Sequence, residues 1–130
     1  MRITDKCHKY TTPELRLLGI HTIDVCRKVI GHGNKPVPKF RINNKMEKNY
    51  GLYSYDYVIT VNPSIMRNIS QFVGVIIHEY THHIQKGLKK NYDSSVKKYG
   101  YDKSPFEVEA NENTKKYKKK VWKKVRLLMS

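Results

Sequence analysis

Residues 71–86 run QFVGVIIHEYTHHIQK, an apolar segment that turns polar in its second half. Phe72, Val73, Val75 and Ile76 give it an apolar side, and the spacing predicts a helix from about Gln71 to Lys86, ended by Gly87. On such a helix His78 and His82 stand four residues apart on one face, so both imidazoles can reach a single metal ion. Zinc suits imidazole nitrogen and takes three protein ligands while leaving one position open to water. Glu79 projects beside that position, where a carboxylate can act as general base toward water acidified by the metal. At the His and Glu frequencies of this chain, H-E-x-x-H arises by chance in about 1% of such sequences. Coincidence is the weaker explanation.

A third ligand must come from elsewhere. No histidine follows His83, and the H-E-x-x-H-x-x-G-x-x-H pattern fails because positions 85 and 88 are Gln and Leu. The downstream carboxylates are Asp93, Asp102, Glu107, Glu109 and Glu112. Ser104-Pro105-Phe106-Glu107 has the form of a capping box and opens a long final helix, about 105–129. On that helix Glu107, Ala110, Asn111, Thr114, Tyr117, Val121, Val125 and Leu128 form the inward stripe, whereas Glu109, Asn113, Lys116 and Lys120 face solvent. Helical phase thus favours Glu107 as third ligand, with Glu109 the alternative and capping a competing role for Glu107.

Upstream, Thr11-Thr12-Pro13-Glu14 reads as a capping box, with Thr11 as N-cap, for an amphipathic helix stopped at Gly31. Lys39–Asn43 alternates like a strand, and Tyr50–Val61 is rich in strand-forming residues up to Asn62-Pro63. Leu88–Lys103 reads as a surface loop or weak helix. The expected fold is α+β: an N-terminal helix, a short mixed or antiparallel sheet, the H-E-x-x-H helix and the long C-terminal helix, in a single domain over residues 1–130.

His78-Glu-Tyr-Thr-His82 followed by Glu107-Val-Glu-Ala-Asn111 resembles the gluzincin metallopeptidases, whose third ligand is the first Glu of an E-x-x-x-D-type motif on a later helix. The lead-in Tyr57-Val-Ile-Thr-Val-Asn62-Pro63 is similar to SprT-like proteins, and Glu107–Asn111 to small phage and bacterial peptidases of the ImmA/IrrE type. The resemblance implies a small zincin-like domain with one Zn2+ held by His78, His82 and Glu107, hydrolysing protein or peptide substrates. Asn111 stands where the family has Asp, so it can accept a hydrogen bond from a ligand histidine only without charge. An edge strand at Gly51–Tyr57 would bind an extended peptide by β-augmentation. A further oxyanion donor could come from Tyr92, Tyr99 or Tyr101. His83, rotated about 100° from His82, is expected to face away from the metal.

Charge adds a second signal. The chain has 26 Lys+Arg against 11 Asp+Glu, a net charge of +15 over 130 residues, which favours polyanionic partners. Lys115, Lys116, Lys118, Lys119, Lys120, Lys123, Lys124 and Arg126 crowd the final helix around Tyr117 and Trp122. Phosphates could be neutralised by Lys115, Lys116, Lys119, Lys120, Lys123 and Lys124 while Trp122 stacks on a base; a solvated lysine face is the plainer alternative. No apolar run approaches the length of a membrane span. The N-terminus lacks the apolar stretch of a secretory signal, so Cys7 and Cys26 are expected as reduced thiols in a cytoplasm. His8, His21 and His32 have no ligand spacing. Small size and a Lys/Tyr/Asn-rich composition suit a phage-encoded protein, in a host cytoplasm or associated with a virion.

Overall fold

The computed structural model describes residues 4–130. The fold is α+β, with helices α1 (Thr12–Val29), α2 (Ile69–Ile84), α3 (Leu88–Tyr99) and α4 (Pro105–Met129), and strands β1 (Lys39–Ile42), β2 (Gly51–Ser54) and β3 (Val58–Val61). Two short 3-10 turns, Cys7–Lys9 and Pro63–Ile65, precede α1 and α2 respectively. Thr11 caps α1 as its sequence requires: its hydroxyl accepts from Glu14 N–H while the Glu14 carboxylate accepts from Thr11 N–H.

The sheet is mixed, in the order β1-β3-β2. β3 runs parallel to β1 and antiparallel to β2, with Gly51 opposite Val61 and Tyr53 opposite Ile59. The strand-rich stretch Tyr50–Val61 is therefore two strands, folded back at Tyr55–Tyr57, where Tyr57 takes a positive φ of 69°. β3 is central and buries Val58, Ile59 and Val61. β2 lies at one edge, against α2.

One cluster of apolar side chains joins the layers. Leu18, Ile23 and Cys26 of α1, Ile59 and Val61 of β3, Phe72, Val73, Ile76 and Ile77 of α2, and Val121 and Val125 of α4 are all fully or almost fully buried. Each large aliphatic or aromatic side chain removed from water in this way contributes about 1.5–3 kcal/mol. α1 can approach the sheet because Gly19 leaves room for Phe40; a Cβ at Gly19 would fall 2.2 Å from Phe40 Cε2.

Several boundaries differ from the sequence expectation. α2 starts at Ile69, not Gln71, because the Asn68 side chain accepts from Gln71 N–H at 2.8 Å and caps the helix there. It ends at Ile84, with Gln85 as its C-cap, and Gly87, with a φ of 72°, opens α3 instead of closing α2. Leu88–Tyr99 is a full helix between two left-handed glycines, Gly87 and Gly100, although of its residues only Leu88 is buried. At the start of α4 the expected capping box is absent. The Ser104 hydroxyl bonds to Ser95 Oγ at 2.8 Å, and Glu107 is turned inward to the histidines of α2. On the inward stripe of α4, Leu128 proves exposed and Met129 buried, since the four-residue step from Val121 to Val125 continues to Met129. Asn113, expected in solvent, is half-buried and donates to Thr81 Oγ1. Among the described residues, no helix is long and apolar enough to cross a membrane.

Candidate metal centre

His78 and His82 project from the last turns of α2 toward the first turn of α4. Their rings sit edge to face with centroids 5.0 Å apart. Glu107 meets both: its Oε1 lies 2.9 Å from His78 Nε2, and its Oε2 lies 3.2 Å from His82 Nε2. One ligand atom from each of the three residues falls within 4.8 Å of the others, and among the described residues this is the group of His, Cys, Asp or Glu side chains that could hold a metal ion. Two imidazole nitrogens and a carboxylate form a donor set suited to a divalent transition metal. Among the described residues, His8, His21, Cys7 and Cys26 form no such group, and both thiols are free and buried.

Two further residues orient the ligands. Gln85 Oε1 lies 2.7 Å from His82 Nδ1; an amide oxygen only accepts, so Nδ1 carries a hydrogen, and Nε2 donates to Glu107 when the ring is protonated and is the nitrogen free to bind a cation when it is neutral. Gln85 is held in turn by donating to the Phe106 carbonyl at 2.8 Å and to Glu109 Oε1 at 2.9 Å. Tyr92 OH donates to Glu107 Oε2 at 2.6 Å. The expected partner Asn111 lies exposed on α4, on the wall of a neighbouring cavity, and the hydrogen bond to the ligand histidine comes from Gln85. Asn111 lies one turn, about 6 Å, along α4 from Glu107, on the wall that holds His78 and not His82, whereas Gln85 follows His82 by three residues.

Electrostatics fit this arrangement. Burial pushes the Glu107 carboxyl up, but hydrogen bonds from His78, His82 and Tyr92 outweigh it and hold the group well below the usual carboxylate range. Burial works to lower His82, yet its bonds to Glu107 and Gln85 leave it raised above 6.5. A buried anion between two imidazoles is a site ready to exchange protons for a cation.

Glu79 occupies the same face, half-buried beside β2. Burial raises its carboxyl above the ordinary value, against the opposing influence of His78 and His82 and of the nearby Tyr53 backbone N–H. The strand passes so close that a Cβ at Gly51 would fall 2.5 Å from Val75 Cγ1 and 3.2 Å from Glu79 Cγ. The Asn62 N–H bonds to Tyr50 O, which fixes the ladder phase. The backbone groups of Leu52 and Ser54 then face β3, and those of Gly51 and Tyr53 point outward along the free edge.

His83 faces away from the centre, as its position on α2 requires. Its Nε2–H donates to the Pro36 carbonyl at 2.7 Å and its Nδ1 accepts from Tyr53 OH at 2.9 Å, which ties β2 to the loop before β1. Of the three tyrosines singled out from the sequence, Tyr92 supports Glu107, Tyr99 lies on the surface, and Tyr101 borders the centre. Partial burial and the Glu107 and Glu79 charges push the Tyr101 hydroxyl up to about 12, so it remains a donor at neutral pH.

The lysines at 115, 116, 119, 120, 123 and 124 are exposed along α4. Trp122 is half-buried, with the Arg126 guanidinium 5.8 Å from its ring centroid. No protein-family model matches the chain, and neither the curated proteins nor the solved structures give a match.

Proposed function

We propose that this chain is a zinc-dependent metallopeptidase of gluzincin type, with His78, His82 and Glu107 as metal ligands and Glu79 as general base. The observation that carries the reading is the convergence of the three ligand side chains from two helices, with Glu79 on the same face and a free strand edge beside it. Zinc, when bound, would supply a Lewis acid that polarises a peptide carbonyl and acidifies water. Glu79 takes a proton from the water whose oxygen bonds to the carbonyl carbon. As the C–N bond breaks, Glu79 returns that proton to the departing amine. Its raised pKa suits both duties, because the base must be deprotonated at the start and a competent acid afterwards. The outward backbone groups of β2 hold the peptide extended across the centre, and Tyr101 is placed to donate to the oxyanion.

The test is Glu79→Gln. Hydrolysis of a mixed peptide substrate should vanish while one zinc per chain is retained, and cleavage that survives the substitution would falsify the assigned base. A second reading, a nucleic-acid-associated protein, is favoured by the exposed lysines of α4 and the net charge of +15. It predicts binding to single-stranded DNA that weakens steeply with salt; undetectable binding at low salt removes it.

A further inference from the structure

Glu79 and His78 lie between two cavities of opposite character. The larger, about 620 Å3, is bordered by Lys48, Lys115 and Lys118, and Glu79 is the only acidic residue on its wall. The smaller, about 320 Å3, opens on the candidate metal centre: beside His82 and Glu107 it is bordered by Leu52, Tyr55, Leu88 and Tyr92, and it has no lysine or arginine. Tyr101 stands on both walls. β2 runs from one to the other, with Tyr50 on the basic wall, Gly51 on both walls and Tyr53 on the aromatic one. A chain laid along its outer edge therefore has one flank in each cavity.

The basic wall is built into the helix packing. Lys118 crosses α2 where that helix has no side chain: a Cβ at Gly74 would stand 3.1 Å from Lys118 Cδ and 3.4 Å from Thr114 Cγ2. Its stem is half-buried, unlike those of Lys119 and Lys120 on the next positions. Among the described residues, no carboxylate lies within ion-pair distance of Lys48, Lys115 or Lys118. Three ammonium groups around a partly enclosed cavity repel one another, and an anionic side chain entering it relieves that repulsion.

We infer that the site, on the peptidase reading above, selects peptides with an aspartate or glutamate on one flank of the scissile bond and a large apolar residue on the other. Lys118 is the main determinant of the acidic flank, supported by Lys48 and Lys115. Because the whole chain is basic, a general attraction for acidic peptides is not enough. The selectivity must follow these three positions.

The experiment is digestion of a proteome-derived peptide mixture by the zinc-loaded full chain, with cleavage sites read by mass spectrometry. Lys118→Glu is compared with Lys28→Glu, an exposed α1 residue whose exchange alters the net charge equally. The expected result is enrichment of Asp and Glu on one flank, diminished about tenfold or inverted in Lys118→Glu and kept in Lys28→Glu. A binding arm uses the Glu79→Gln chain and fluorescein-labelled peptides, one with an Asp-Glu flank and one with Gln-Asn in its place. The acidic peptide should bind about tenfold tighter, and adding Lys118→Glu should abolish that difference. Cleavage without acidic preference, or preference lost equally in both charge variants, overturns the inference and leaves the peptidase reading intact. Absence of any cleavage by the zinc-loaded chain overturns the peptidase reading and this inference with it. If Lys118→Glu instead abolishes binding of oligothymidylate and leaves the peptide preference unchanged, the cavity belongs to a phosphodiester and the inference falls.

Discussion

The Gln85 side-chain oxygen sits 2.7 Å from His82 Nδ1, and this single contact determines which imidazole nitrogen meets Glu107. Replacing Gln85 by Leu keeps the volume and removes the acceptor. Metal affinity is expected to fall by about 10–100-fold, with Gln85→Glu retaining it, because a carboxylate still accepts from Nδ1–H. Titration calorimetry on the three chains checks this. Equal affinity in wild type and Gln85→Leu would show the contact to be incidental.

Glu107→Ala removes the one proposed ligand that comes from α4. Zinc content of the purified protein should drop from about one per chain to near zero, while Glu109→Ala, which only loses a bond to Gln85, should keep its metal with modestly reduced affinity. Elemental analysis distinguishes the two. The opposite pattern would make Glu109 the ligand.

Metal-free and metal-loaded protein should respond to pH in opposite directions. In the metal-free protein His82 is raised above 6.5, so its stabilising contribution is full below that value and is lost as pH rises through the folded pKa. Glu107 is lowered, and its contribution, lost only in acid, is constant here. His83 is lowered by burial, so its contribution is complete once pH exceeds 6.5. As pH rises from about 6.5 through the folded pKa of His82 the metal-free chain should become less stable. With saturating zinc the ligands are held unprotonated, and stability should rise or level off over the same window. Urea melts at several pH values measure both slopes; parallel slopes would exclude His82 from the metal.

Gly51 is where β2 passes the helix most closely. Gly51→Val puts a side chain into space already filled by Val75 Cγ1 and the Glu79 stem. The cost is expected at about 1–3 kcal/mol, read from denaturant unfolding. Turnover should fall further than stability explains, because the strand and the base are displaced together. Unchanged stability in the Gly51→Val chain would mean that β2 moves freely.

Much of this was legible in the sequence because helix periodicity carries distance information. Four-residue spacing put His78 and His82 together, and the phase of α4 separated Glu107 from Glu109. Thr11 and Glu14 announced the start of α1 by local chemistry alone. Around the start of α4 the structure departs from the local pattern because a tertiary partner can displace the local one a polar group would otherwise take. Ser104 and Glu107 fit a capping box, yet Glu107 is drawn to two imidazoles and Ser104 to Ser95. Gln85 carried a detectable signal, a polar residue one turn past His82, but its role depends on Phe106 and Glu109, which only folding brings near. α3 reads only as a loop or weak helix because its apolar side is thin, Leu88, Tyr92 and Val96 at four-residue steps among polar residues, and its two bounding glycines suit a loop equally well.

The contact between His78 and Glu107 joins residues 29 apart in the chain. A cation shared between them would therefore act as a removable staple, closing a loop that includes all of α3. Such a clasp forms only on the folded chain and stabilises it by mass action, so it is only as durable as the supply of the ion. A cell short of the ion would thus hold a looser population, with α3 and its flanks open to proteolysis. The abundance of the protein would then track metal availability without any dedicated sensor.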